Sequence, residues 1–226
     1  RREQEAVKRD VEYSQQRLRL RLLERQEQLM RLARDIANRE VDPRQFEIRA
    51  ESLVAQYGEL MALSWIDDRR RVVAVQASPS VKAARDWMED GILKPGEVES
   101  GYGLARDLLQ PVYSQPVGVG KAEPILQLHL PITPRGKFAG ELVAEYSVDA
   151  LLRYGVPAEI LAKYAVALLD SKGQTLAGQS IPDRPGLSEF LPWSGKVTEF
   201  EMPVSPVGNG LVLRAQAWRT SQGLVG

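Results

Sequence analysis

The chain has 226 residues, with 30 Lys and Arg against 30 Asp and Glu, so its formal net charge is zero. At 43% hydrophobic and 27% charged residues its composition is that of a globular protein, which excludes wholesale disorder and collagen-like repeats. A balanced charge offers no general attraction for phosphate backbones, and the absence of Cys with a single His, His129, excludes disulfides, thiolate metal sites, cysteine nucleophiles and multi-histidine metal centres within one chain.

Residues 1 to about 40 contain neither Gly nor Pro and are rich in Arg, Glu, Gln and Leu, all good helix formers. Val11, Leu18, Leu22, Leu29, Leu32 and Ile36 fall on one seam, interrupted by Gln15 and Arg25. A helix of that length reaches roughly 57 Å, more than a small domain is wide. It therefore packs along two stacked domains, pairs with another copy, or lies solvated on its own domain. The polar interruptions favour a loose pairing. Acidic and basic residues are interspersed along it, so it presents no basic face for nucleic acid.

Asp42-Pro43 restarts the chain as N-cap and first helical residue, and Phe46, Ala50, Leu53, Val54 and Tyr57 carry a second helix to about Gly58. The period then changes to that of strands. Leu60 to Ile66 and Arg71 to Ala77 make a hairpin about Asp67-Asp68-Arg69-Arg70. Short helices are expected at Val81 to Met88 and Leu104 to Leu109, around a loop from Gly91 to Gly103. Strands follow at Gln110 to Gln115, Pro124 to Ile132 and Gly140 to Val148, the last two joined by the turn Pro134-Arg135-Gly136-Lys137.

A shorter copy of this pattern occupies the C-terminal third. Short helices at Asp149 to Tyr154 and Pro157 to Ala162 precede a hairpin of Tyr164 to Asp170 and Gln174 to Ala177. Strands Lys196 to Val204 and Gly210 to Trp218 then meet at Gly208-Asn209-Gly210. Ala62-Leu63-Ser64-Trp65-Ile66-Asp67 answers Ala165-Val166-Ala167-Leu168-Leu169-Asp170, an apolar strand closed each time by Asp at a tight turn. This is a weak internal repeat of two related modules.

Catalytic signatures are sparse. Gly101-Tyr102-Gly103 and Gly118-Val119-Gly120 read as loop glycines, since neither is followed by the helix that phosphate binding needs. There is no Gly-x-Ser-x-Gly elbow, and a Ser–His–Asp arrangement could use only His129. That residue alternates with Leu128 and Leu130 and so faces away from them; it reads first as a structural histidine, then as a pocket group, then as a catalytic base. Asp67-Asp68 and Asp170 read as solvated turns. No catalytic residue, metal ligand or cofactor site is expected.

The order of these elements resembles the extracytoplasmic double PAS-like (Cache, or PDC) sensor modules of bacterial receptors. The carrying stretches are the long first helix, the Asp42-Pro43 helix leading into Leu63-Ser64-Trp65-Ile66-Asp67, and Pro124-Ile125-Leu126-Gln127-Leu128. Phe138 to Ser147 then leads through Leu151-Leu152 to Tyr164-Ala165-Val166-Ala167-Leu168-Leu169-Asp170-Ser171-Lys172-Gly173. The chain departs from the pattern at Arg69-Arg70-Arg71, where such turns often carry Asp-x-Gly. It also lacks the Tyr/Arg/Trp constellation of amino-acid-binding members.

The resemblance implies an α+β fold, a long N-terminal helix followed by two PAS-like antiparallel-sheet modules stacked along it. The implied division is a signalling helix over 1–41, a membrane-distal module over 42–148 and a smaller membrane-proximal module over 149–226. It implies an excised, non-enzymatic ectodomain of an inner-membrane receptor facing the periplasm, with a two-component histidine kinase as parent and its catalytic domains elsewhere. A chemoreceptor or diguanylate cyclase sensor, and a standalone small-molecule hydrolase, are the alternatives. The implied partners are a small-molecule ligand and a second copy bound through the N-terminal helix. Ligand contacts are expected in the first module from Trp65, Tyr102, Arg106, Tyr113, His129 and Tyr146, with Trp87 and Ser114 nearby. Arg106 could fork onto a carboxylate while the aromatics wall the cavity. The competing reading makes Trp65, Tyr113 and Tyr146 core, and Arg106 a surface charge.

Overall fold

A computed structural model describes residues 1–79, 88–118, 123–182, 197–204 and 210–217. The Gly/Pro-free N-terminal stretch forms one helix, α1 (Arg2–Ala37). Asp42 then caps α2 (Pro43–Gln56) through a capping box, its side chain accepting from the Gln45 backbone while the Gln45 side chain accepts from the Asp42 N–H.

The first sheet contains β1 (Leu60–Asp67) and β2 (Val72–Ala77). A small hairpin of β3 (Met88–Glu89) and β4 (Ile92–Leu93) and the helix α3 (Glu97–Leu108) come next. β5 (Val112–Tyr113), β6 (Ile125–Ile132) and β7 (Gly140–Ser147) complete the sheet, all antiparallel in the order β2-β1-β7-β6-β5. After α4 (Val148–Gly155) and α5 (Ala158–Lys163), a second antiparallel sheet is built from β8 (Tyr164–Leu169), β9 (Thr175–Gly178), β10 (Glu199–Pro203) and β11 (Val212–Ala217), in the order β10-β11-β8-β9.

The repeat read from the sequence is physical. β1 and β8 hold equivalent places in their sheets, each flanked by its hairpin partner on one side. Asp67 Oδ1 accepts the Arg69 and Arg71 N–H groups, and Asp170 Oδ1 accepts those of Lys172 and Gln174. The same turn is thus closed by the same side chain in both copies.

Three expectations are corrected. The loop drawn from Gly91 to Gly103 contains β4 and the first half of α3, so Gly101 and Gly103 are helical. Met88, expected to end a helix, begins a strand; the rest of that expected helix, with Trp87, lies outside the described residues, as do Val119-Gly120, Gly208-Asn209 and Trp218. The seam of α1, expected to favour pairing with another copy, is buried within this chain. Val7, Leu18, Leu22 and Leu32 are completely enclosed, and the helix lies along both sheets. A seam that meets a sheet and one that meets a helix have the same periodicity, which is why the sequence left the partner open.

Candidate functional site

The two faces of the first sheet have opposite chemistry. Side chains alternate along each strand, so the register decides which residues share a face. On the face towards α1 and α2 lie Leu63, Leu126, Leu128, Leu130, Leu142, Ala144 and Tyr146, part of the main hydrophobic core. On the other face, Ala62, Glu145 and Gln127 lie in one row, beside Ser114, whose N–H donates to the Gln127 carbonyl. Ser64, Val143, His129 and Val112 form the next row; Ile66, Glu141 and Pro131 form the third. Ser64, Ser114, Gln127, His129, Glu141 and Glu145 are all buried.

The cover over this second face differs from end to end. At the Glu141 end, β4 and α3 bring Leu93, Val98 and Tyr102 onto Ile66 and Val143, an apolar cluster edged by Val72 and Phe138. The Tyr102 ring meets Phe138 edge-on at 5.6 Å, and its O–H donates to the Asp67 carbonyl at 2.6 Å. At Gly101 the backbone of α3 lies against the sheet. A Cβ at that position would lie 2.5 Å from His129 Nε2, so only Gly lets the helix backbone rest on the imidazole.

Beneath α3, His129 Nδ1 lies 3.2 Å from Glu141 Oε1, and both side chains are fully enclosed. Burial pushes the Glu141 carboxyl up to about 9, with Arg106 opposing, and burial pushes the His129 imidazole down to about 4. Near neutral pH both are therefore uncharged, and the pair is a carboxylic acid against a neutral imidazole. A carboxylic O–H is the stronger donor of the two. Donation to Nδ1 then places the ring proton on Nε2. That Nε2, Glu141 Oε2 and both amide atoms of Gln127 have no hydrogen-bond partner among the described residues. Buried polar atoms left this way cost stability, and they stand together on one face.

The six residues anticipated from the sequence divide between the two faces. His129 and Tyr102 come together at the polar face, covered by α3. Arg106, on the same helix, has a side chain 47% exposed and ion-paired with Asp107 at 3.0 Å. It borders a surface cleft of about 160 Å³ shared with Arg70, Glu99, Ser100, Tyr102 and Gly103, in which Arg70 and Glu99 are ion-paired. Trp65, Tyr113 and Tyr146 are brought together on the opposite face. Trp65 meets Phe46 edge-on, Tyr113 donates to Gln26 of α1 at 3.2 Å, and Tyr146 is completely buried.

Sequence reading missed Gln127, Glu141, Glu145 and Ser64. The signal was present: the alternation that turned His129 away from Leu128 and Leu130 also sets Gln127 beside it, and sets Glu141 and Glu145 together on β7. No group of three or more His, Asp or Glu residues able to hold a metal occurs among the described residues.

No protein-family model matches the chain, and no curated protein matches it in sequence. Solved structures do match in fold. The ligand-binding domain of the Pseudomonas aeruginosa amino acid chemoreceptor PctB, in complex with L-Gln, is 15% identical with a TM-score of 0.60, over 97% of this chain and 96% of that one. The ligand-binding domain of the Pseudomonas fluorescens chemoreceptor CtaA, in complex with L-serine, is 14% identical with a TM-score of 0.62, over 95% and 96%. The extracellular domain of the putative histidine kinase rpHK1S-Z16 is 14% identical with a TM-score of 0.64, over 96% of each chain. The chain thus shares the fold of these ligand-binding and extracellular domains over nearly its whole length.

Proposed function

We propose that this chain is the ligand-sensing ectodomain of a membrane receptor, placed in the periplasm, with no catalytic step of its own. A two-component histidine kinase is the parent favoured here, and a chemoreceptor is the second reading, supported by the PctB and CtaA domains among the structural neighbours. The observation that carries the sensory reading is the buried polar face of the first sheet, where Gln127, His129 and Glu141 hold unspent hydrogen-bonding atoms under α3. A small polar molecule that supplies those partners stabilises the closed arrangement of α3 on the sheet. It shifts a two-state equilibrium by its difference in affinity for the states.

In this reading residues 42–148 are the membrane-distal module and 149–226 the membrane-proximal one, and α1 carries the change towards the membrane as a small slide or rotation. Pairing of two copies through the N-terminal helix then uses its outward stripe, where Tyr13 and Leu20 are about half exposed, because the inward seam is occupied. The test is thermal-shift screening of this chain against small amines, amino acids, carboxylates and polyols. A true ligand raises Tm with concentration, since it binds the folded state alone. The shift is expected to vanish in Gln127→Leu with the fold retained, and a ligand indifferent to Gln127→Leu and His129→Phe would overturn the placement.

A further inference from the structure

The turns that close the two repeats differ at one position. Arg70 donates its N–H to the Asp67 carbonyl at 3.1 Å, and Gly173 donates to that of Asp170 at 3.1 Å. Both are left-handed, with φ 65° at Arg70 and 81° at Gly173. Glycine takes that conformation without strain, and an L side chain does not. The first module thus carries, at a cost in stability, a guanidinium where its own repeat has no side chain.

That guanidinium borders the surface cleft of about 160 Å³, and Arg106 borders it from α3. Tyr102 stands between this cleft and the polar face. Its O–H reaches the Asp67 carbonyl, and its ring belongs to the apolar cluster over Ile66 and Val143. Among the described residues that line the cleft, Arg70 and Arg106 are the cations and Glu99 is the one acid; Asp107 lies outside the lining. Arg70 meets Glu99 through Nη1, and Arg106 meets Asp107 through Nε. Both arginine side chains are 47% exposed, so these pairs hold weakly. Each guanidinium carries five N–H donors and so keeps others for a further acceptor.

We infer that the cleft is a second ligand site, for a small tetrahedral dianion of the sulfate or phosphate type. Oxygens on different corners of such an anion meet the two guanidinium forks, and its double charge answers both cations at once. Glu99 competes for Arg70 and is displaced on binding. The bound anion joins the β1–β2 turn to α3 from outside, so it holds the cover of the polar face without entering that face. The site stands whether or not the polar face takes a ligand.

The experiment is calorimetric titration of this chain at low salt and about pH 8, where phosphate is doubly charged. The probes are sulfate, inorganic phosphate, glycerol 3-phosphate and succinate, with NaCl at matched ionic strength as the control. Sulfate and phosphate are expected to bind once per chain and to raise Tm, and NaCl is not. Arg70→Gly gives the turn the residue of its own repeat and is expected to fold. It loses about tenfold or more in affinity, as does Arg106→Gln. Glu99→Gln binds the anion more tightly, because Arg70 no longer has a competitor. Tighter binding of glycerol 3-phosphate than of phosphate supports the site with an esterified group as its occupant; the reverse supports the free anion. Sulfate acting no differently from NaCl, affinity unchanged in both arginine variants, or affinity weakened by Glu99→Gln would each overturn the site. Succinate binding more tightly than sulfate would overturn the tetrahedral class.

Discussion

Glu141 and His129 are held uncharged by the same burial, yet they bend the stability curve in opposite directions. Glu141 keeps its proton in the folded chain up to about 9, while the unfolded chain releases it in the ordinary carboxylate range. Between those limits the folded state binds more protons, so stability falls as pH rises. His129 takes a proton in the unfolded chain below its ordinary 6.5 but in the folded chain only near 4, so stability also falls as pH drops through that window. Glu141→Gln removes the first loss and leaves the second. Its Tm is expected to exceed that of the native chain at about pH 8, with the gap closing towards about pH 5. Thermal melts across that range check it, and a gap independent of pH would mean that Glu141 is already ionised in the folded chain. The residues behind this behaviour were half visible in the sequence. A polar residue every second position marks a common face, but β6 and β7 are buried on both faces, so the usual contrast between wet and dry sides is missing. His129 is the single histidine of the chain and so stands out, whereas Gln127 and Glu141 are residues of common types.

At the scale of an element, α3 was the part least legible in the chain, and the reason is physical. Gly101 and Gly103 lower the helix propensity of its middle, and Gly96 stands just before it, so local rules favour a loop there. Tertiary contact overrides them, because Gly101 is needed for contact with His129 while the helix buries Val98, Tyr102 and Ala105. Two substitutions separate these effects. At Gly103 a Cβ meets only the end of the Arg106 side chain, at 3.6 Å, so Gly103→Ala is expected to stabilise the chain by up to about 1 kcal/mol through helix propensity. At Gly101 the same methyl collides with the imidazole, so Gly101→Ala is expected to cost about 1–3 kcal/mol despite the same gain in propensity. Denaturant titration reads both, and equal effects of the two would show that α3 does not rest on His129. For α1 the situation is reversed: its length, seam and polar interruptions were all legible, and only the partner of the seam was not. Arg25, a polar interruption of the seam, stacks 3.5 Å above the Tyr57 ring and donates to Glu59, so it belongs to the buried side of the helix.

Across the whole molecule the long α1 touches both sheets, as does the short α4 between them. The N-terminal half of α1 holds the second sheet: Tyr164 donates to Asp10 at 2.6 Å, Gln15 donates to the Pro203 carbonyl, and Lys8 lies over the Phe200 ring. Its C-terminal half holds the first, where Arg21 and Arg25 converge on Glu59, a carboxylate with no solvent exposure. Between them Leu18 packs against Gly155 of α4 so closely that a Cβ there would lie 2.5 Å away. Burial alone would raise the Glu59 pKa; the bidentate Arg21, its own backbone N–H and Arg25 outweigh that and leave it lowered. The stability it contributes is therefore fully present above the ordinary carboxylate range and is lost as pH falls through the lowered value. If α1 makes one cooperative unit of the two sheets, damage at either half must reach both. Glu59→Gln leaves two arginines without their charge partner, at a cost of about 2–4 kcal/mol after allowing for the partial exposure of Arg21. Tyr164→Phe removes a hydrogen bond to a carboxylate, at about 1.5–3 kcal/mol. Scanning calorimetry is expected to show one transition in the native chain, with matching calorimetric and van't Hoff enthalpies, moved down as a whole by each variant. Were the sheets independent, two transitions would appear, with Glu59→Gln lowering one and Tyr164→Phe the other, and a change begun under α3 would have no rigid route to the second sheet.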